Sequence, residues 1–320
     1  MNYLTRIALS ASVLTVTATA ALADVVSIAT PPQGSVWNTM ASVIAGQARE
    51  KANIKAVVQP MAGNEAMLQT VNQGRAEFTL DDVNDVITAS SGTGEWKQKL
   101  ENLRIVARIN PFPVGLYVKK SMNIENVADL KGKSVPSGWG GFPLARSHID
   151  GILATANMTM DDVTGVPVPE LIRGSDALAA GAVDSAFFAV GGPKVAEVNA
   201  SVGGVRFLKV DNSAESLKRI QAVRPAFYFS DVKPAPFRVG VESTMAFVTW
   251  DNVLVANKDV SDELVTNMLT TIADNQPAMA KAYPPLGAFA IERSYKSYPG
   301  VDYHPAAIAF FKKRNIEQSN

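Results

Sequence analysis

Between Val25 and Asn84 the chain alternates strand and helix twice over, and that alternation leaves few folds open. Val25 to Thr30 is β-rich, and Pro31-Pro32-Gln33-Gly34-Ser35 breaks it before Trp37, Met40, Val43 and Ile44 repeat at helical spacing. A second strand over Ile54 to Gln59 ends at Pro60, and a helix carrying Met67, Leu68 and Val71 stops at Gly74. A third strand, Ala76 to Leu80, runs into Asp81-Asp82-Val83-Asn84. Such a β-α-β-α-β series predicts a parallel sheet with right-handed crossovers. Ligands of such sheets sit beyond the carboxyl ends of the strands, so the loops at Gly34-Ser35 and Asp82-Asn84 are expected on one edge.

The logic returns in the middle of the chain. Ser134-Val135 reads as a strand, and Ser137-Gly138-Trp139-Gly140-Gly141-Phe142 cannot be regular structure with three glycines so close together. Pro143 suits the first turn of a helix. Strand, glycine loop and helix start together offer backbone N–H groups to an anion; the alternative is a plain tight turn. A helix over Leu171 to Ala180, a strand over Ser185 to Val190 and the opening Gly191-Gly192-Pro193 repeat the unit. Leu103 to Ile109 and Val114 to Val118 read as two strands separated by Pro111-Phe112-Pro113, and Met245 to Ala256 as a strand leading back. The fold expected is therefore α/β with two lobes. Each lobe is a mainly parallel sheet flanked by helices, lobe I being 24–112 plus 246–320 and lobe II 113–245. Loops 34–38, 81–84, 137–142 and 190–193 would line the cleft between them.

Residues 1–23 read as an export signal: Arg6, an apolar run from Ile7 to Ala21, and Ala21-Leu22-Ala23 as the cleavage site. The run is too short to span a bilayer. The mature chain is expected in the periplasm, without membrane insertion and as a monomer. The full sequence has 30 basic and 30 acidic side chains and loss of the leader removes one cation, Arg6; a chain so nearly neutral gives no reason to expect nucleic acid. Zero cysteines exclude disulfides and thiolate metal sites.

Trp37 and Trp139 are candidates to close on a flat part of a ligand from two facing loops. Arg146 and Arg173 are candidate carboxylate anchors, because guanidinium binds carboxylate in bidentate fashion. Asp81 and Asp82 allow an acid/base reading, or one binds the ligand while the other caps a helix. His148 and His304 lie far apart, so no metal site and no cofactor is expected, and no nucleophile has an evident base.

Five segments carry a resemblance: IATPPQGSVWNTMASVIA from Ile28, GNEAMLQTVNQGRAEFTLDDVNDV from Gly63, ADLKGKSVPSGWGGF from Ala128, SDALAAGAVDSAFFAVGGP from Ser175 and ESTMAFVTWDNVLVANKDVSDELV from Glu242. In this order they resemble two-lobed bacterial solute-binding proteins, and more narrowly the TAXI family of TRAP-transporter receptors. The resemblance implies a non-enzymatic receptor that closes on a small organic anion and passes it to TRAP membrane permease subunits. The other readings are an ABC-importer subunit and a two-lobed enzyme using Asp81 or Asp82. The pocket loops depart from the family pattern: Gln33-Gly34-Ser35-Val36-Trp37-Asn38 stands for Gly-Gly-Thr-Tyr-Tyr-Pro, and Gly138-Trp139-Gly140-Gly141 for Gly-Ser-Gly-Thr. A pocket of Gly34, Ser35, Trp37, Asn38, Asp82, Asn84, Ser137, Gly138, Trp139, Gly140, Gly141, Phe142, Arg146, Arg173, Gly191 and Gly192 follows. The substituted aromatics point to an acid with a flat apolar portion.

Overall fold

Val26–Thr30 (β1) and Ala56–Pro60 (β2) pair in parallel, and β1 also pairs in parallel with Phe78–Asp82 (β3). The structure, a computed structural model, describes residues 25–140, 143 and 145–319. The expected leader, Gly141 and Phe142 lie outside these residues. Helix Val36–Ala52 (α1) begins where Ser35 accepts a hydrogen bond from the Asn38 N–H, and buries Trp37, Met40, Ile44 and Ala48. Its last turn ends at Asn53, whose positive φ of 53° is the left-handed form asparagine tolerates. Asn64–Asn72 (α2) follows β2, and Val83–Ser91 (α3) follows β3 directly, capped by Asp82.

The next strand corrects the sequence reading. Leu103–Lys119 (β4) is one continuous strand, not two. Pro111 and Pro113 stay in register with Asp251 and Thr249, and Phe112 with Trp250. In an antiparallel strand alternate residues send their N–H groups to opposite sides, so prolines two apart weaken one side only. Ser134–Gly138 (β5), Ala145–Thr155 (α4), Thr164–Val168 (β6), Leu171–Ala180 (α5), Ala186–Ala189 (β7), Pro193–Val202 (α6), Val205–Phe207 (β8) and Ala214–Val223 (α7) follow, within the stretch expected as the second lobe. Tyr228–Val232 (β9) is a strand that the aperiodic, proline-rich run around it concealed.

Met245–Asn257 (β10) then returns antiparallel along β4. It pairs with β9 through residues 245–249 and with β3 through 252–256, while the far end of β4 pairs with β7 and β8. The sheet order is β2-β1-β3-β10-β4-β7. Parallel pairing holds for β1–β3 and for the small β5–β6 sheet; the strands that join the lobes are antiparallel. Asp262–Asp274 (α8), Gln276–Ala282 (α9) and Pro305–Lys313 (α10) close the chain, α8 and α10 packing on one another and α8 also on α1.

The two faces of β10 do different work because side chains alternate along a strand. Trp250 enters an aromatic column. Asp251, one residue on, takes Arg108 at 2.7 Å, Lys296 at 2.9 Å and the hydroxyls of Tyr228 and Tyr298 at 2.9 and 2.8 Å. Burial would raise its carboxyl, but the Arg108 and Lys296 charges outweigh burial and hold it below the usual range. That cluster joins β9, both crossing strands and the C-terminal segment.

Candidate functional site

A cavity opens where the first turns of α1 and α2 meet the crossing strands and the second lobe. Pro31, Pro32, Ser35, Val36 and Trp37 line it from the end of β1, and Ala62, Gly63 and Asn64 from the end of β2. Phe112, Val114 and Trp250 form its back, and His148, Glu170, Leu171 and Phe187 to Ala189 its far wall. Trp37 stacks on Phe112 at 5.3 Å between ring centres, and Phe112 meets Trp250 at 5.4 Å. Trp250 in turn stacks on His148 at 4.7 Å and on Phe227 at 5.6 Å. Gly151 on α4 makes room for that column, since a β-carbon there would stand 2.6 Å from the Phe227 ring. Among the described residues no lysine or arginine lines the cavity.

About 40 Å³ of the cavity is open to the centre of a water-sized sphere, room for a few water molecules. The cavity walls therefore stand close together. Gly34 shows how closely: its backbone has φ +94°, and a β-carbon there would touch Ile172 of the second lobe at 3.4 Å.

Behind Asn64 and His148 lies a buried polar network spanning the lobes. Asn64 donates to Asp81 at 2.5 Å and to Asp85 at 2.6 Å. Asp82 meets the Nε2 of His148 and the guanidinium of Arg224, each at 3.0 Å, while Arg224 also pairs with Asp85 and donates to Ser147 at 2.6 Å. Asn84 bonds Asp82 through its amide nitrogen and accepts the Ala226 N–H at 2.8 Å. Burial, reinforced by the Asp85 and Asp82 charges, pushes the Asp81 carboxyl well above the usual range. Burial also raises Asp82 and Asp85, although Arg224 pulls both down. Burial and the neighbouring Arg224 hold His148 down to about 3, so its ring is neutral at pH 7. Asp82, Asp85 and His148 bring possible metal-ligand atoms within 4.8 Å of one another, but the cation set among these carboxylates is Arg224.

Several expected pocket residues fall elsewhere. Of the first loop, Ser35 and Trp37 line the cavity, while Asn38 turns inward and donates to Thr30 at 2.9 Å. Asp82 and Asn84 belong to the network beneath, not to the wall, because α3 starts without a loop and carries them under Asn64. Ser137, Gly138, Trp139 and Arg146 line a separate hollow with Glu95 and Met160, and Gly140 is exposed. Trp139 does not face Trp37; its buried ring lies against Gly174 of α5, 3.5 Å from where a β-carbon would stand. Arg146 is 74% exposed and pairs with Asp150, and Arg173 is 66% exposed and pairs with Asp176. Neither is an anchor in the cavity. Gly191 accepts the Tyr283 hydroxyl at 3.0 Å and Gly192 precedes α6 against Phe188, both behind the wall.

Sequence reasoning missed Gly63-Asn64, Glu170, Phe112 and Trp250. The first two had a signal, since they open helices at the carboxyl ends of β2 and β6, where the strand-end rule applies. Phe112 and Trp250 had none, because only the pairing of β4 with β10 sets them side by side.

The MatC protein from Rhodopseudomonas palustris with bound malate shares this fold, with a TM-score of 0.57 and 15% identity over 84% of this chain and 90% of that one. The periplasmic binding protein BugD superposes with a TM-score of 0.56 at 13% identity, covering 92% and 99% of the two chains. A binding component of an ABC phosphonate transporter from Pseudomonas aeruginosa gives 0.50 at 12% identity, over 83% and 80%. The architecture is the two-lobed periplasmic-binding-protein fold. Among the described residues no helix is long and apolar enough to cross a membrane. Residues 28–314 match the NMT1-like family, and over that extent the chain belongs to it.

Proposed function

We propose that this protein is a periplasmic solute receptor of a TAXI-type TRAP transporter, which closes on a small organic acid and delivers it to a membrane permease. The lobes would be 24–112 with 246–320, and 113–245. The observation that carries this reading is the aromatic cavity between two lobes joined by β4 and β10. A solute touching both walls favours the closed form by its differential affinity. The five segments support the TRAP assignment, and MatC shows the fold with a bound organic acid. Trp37, Phe112 and Trp250 suit a flat apolar portion, and the starts of α1 and α2, rather than an arginine, would meet the polar end. The enzymatic reading is less well supported, since Asp81 and Asp82 are wholly buried and engaged with Asn64, His148 and Arg224.

Native mass spectrometry of the purified protein should find a small molecule retained and chemically unchanged. Trp37→Ala should weaken its binding about tenfold or more, since aromatic stacking alone adds about 0.5–1.5 kcal/mol beyond area burial. A retained compound that is turned over, or one held equally well by Trp37→Ala, contradicts the assignment.

A further inference from the structure

We propose that Glu170 sets the charge of the solute: the cleft accepts one negative charge at most and excludes the second carboxylate of a diacid. The proposal rests on the receptor reading above. Among the described residues Glu170 is the only carboxylate lining the cavity and no lysine or arginine lines it; the nearest cation, the exposed Arg173, reaches Glu170 only at 4.0 Å through its Nε. It is held in place by accepting the Ile172 N–H at 2.7 Å and the Arg173 N–H at 3.0 Å. Those bonds cap α5 and offset the positive end of its dipole, which would otherwise favour an anion at this wall. Arg173, three residues on, makes its closer contact outward, to Asp176 at 3.1 Å. The rest of that wall is Leu171, Phe187, Phe188 and the flat His148 ring.

The opposite wall is different in kind. Helices α1 and α2 both begin there, and α2 starts at Gly63, which has no side chain to occupy its first N–H groups. The indole nitrogens of Trp37 and Trp250 and the Asn64 amide oxygen are buried and have no hydrogen-bond partner in the protein. A single polar head is thus met by the first lobe, and an apolar body by the aromatic column. A diacid of similar length would carry its second carboxylate to Glu170 or onto bare aromatic surface. Behind the wall, three carboxylates face one guanidinium, which supplies no compensating positive field. Like-charge juxtaposition of this kind discriminates by repulsion.

Thermal shift and calorimetry with benzoate, phenylacetate, benzamide, succinate and L-malate test this. At least one ring compound should raise the melting temperature of the wild type, and neither diacid should. Glu170→Gln keeps an amide oxygen to cap α5, and should improve diacid binding relative to the ring compounds by about tenfold or more. Wild-type protein that binds succinate or malate as well as any ring compound overturns the proposal, as does an unchanged ratio in Glu170→Gln or no response to any ring compound. Should the variant fail to fold, the wild-type comparison alone decides. A protein that answers to a diacid keeps the receptor reading and loses this one. A protein that retains nothing and answers to none of the five loses both.

Discussion

Arg224→Met is expected to cost about 3–5 kcal/mol of folding stability, the usual penalty for stripping the partner from buried charges. Arg224 is buried and is the cation shared by Asp82 and Asp85, which are themselves fully buried. Methionine fills similar space but leaves two carboxylates facing each other across apolar surroundings. For a chain of this size the melting temperature should fall by about five to eight degrees. The triple variant Arg224→Met, Asp82→Asn, Asp85→Asn should recover most of the loss, since a buried ion pair replaced whole is often neutral. The network joins α3 to α4 and to the segment after α7, so the single variant should also open the lobes, seen as a larger radius in solution scattering. A loss below about 1 kcal/mol would mean that water reaches the cluster and that it resembles a surface ion pair.

Acid should act on the same network in two opposite ways. The His148 imidazole is held down to about 3 in the folded state, against about 6.5 in an unfolded chain. Below pH 6.5 the unfolded state therefore binds a proton that the folded state refuses, and stability falls as pH drops from 6.5 towards 3. Asp81 runs the other way. Its raised carboxyl takes up a proton in the folded state first, so stability rises as pH falls through that raised value, until the unfolded carboxyl is also protonated near 3.9. In the wild type the His148 loss and the Asp81 gain oppose one another. His148→Gln keeps a polar contact to Asp82 but does not titrate, so only the gain should remain. Measured by denaturant unfolding at each pH, the stability of His148→Gln relative to wild type should improve by up to about 1.4 kcal/mol per pH unit below 6.5. Asp81→Asn should remove the opposing gain and make the protein more acid-sensitive. Parallel pH curves for wild type and His148→Gln would contradict this, since they would mean that His148 titrates alike in the folded and unfolded states.

Much of the architecture could be read from residue order, because strand and helix signals are local. Asp82 caps its helix, one of the roles read for the Asp81–Asp82 pair, and the first three strands pair in parallel as the β-α-β alternation requires. Local signals also misled where two conformations share one pattern. Pro111 and Pro113 read as a break but lie inside β4, and β9 lay hidden in a proline-rich run. The site was legible by loop and not by side chain. Ser35 and Trp37 were found because a strand-end loop must face the ligand edge of the sheet. The placing of Trp139 in the core beside Gly174, and of Arg146 and Arg173 on the surface, depends on which way a side chain turns from a correctly placed segment. Residue order carries backbone tendency and periodicity. Contact between residues some 140 positions apart, such as Arg224 with Asp82 and Asp85 or Phe112 with Trp250, is decided by how the lobes meet and how β4 and β10 pair.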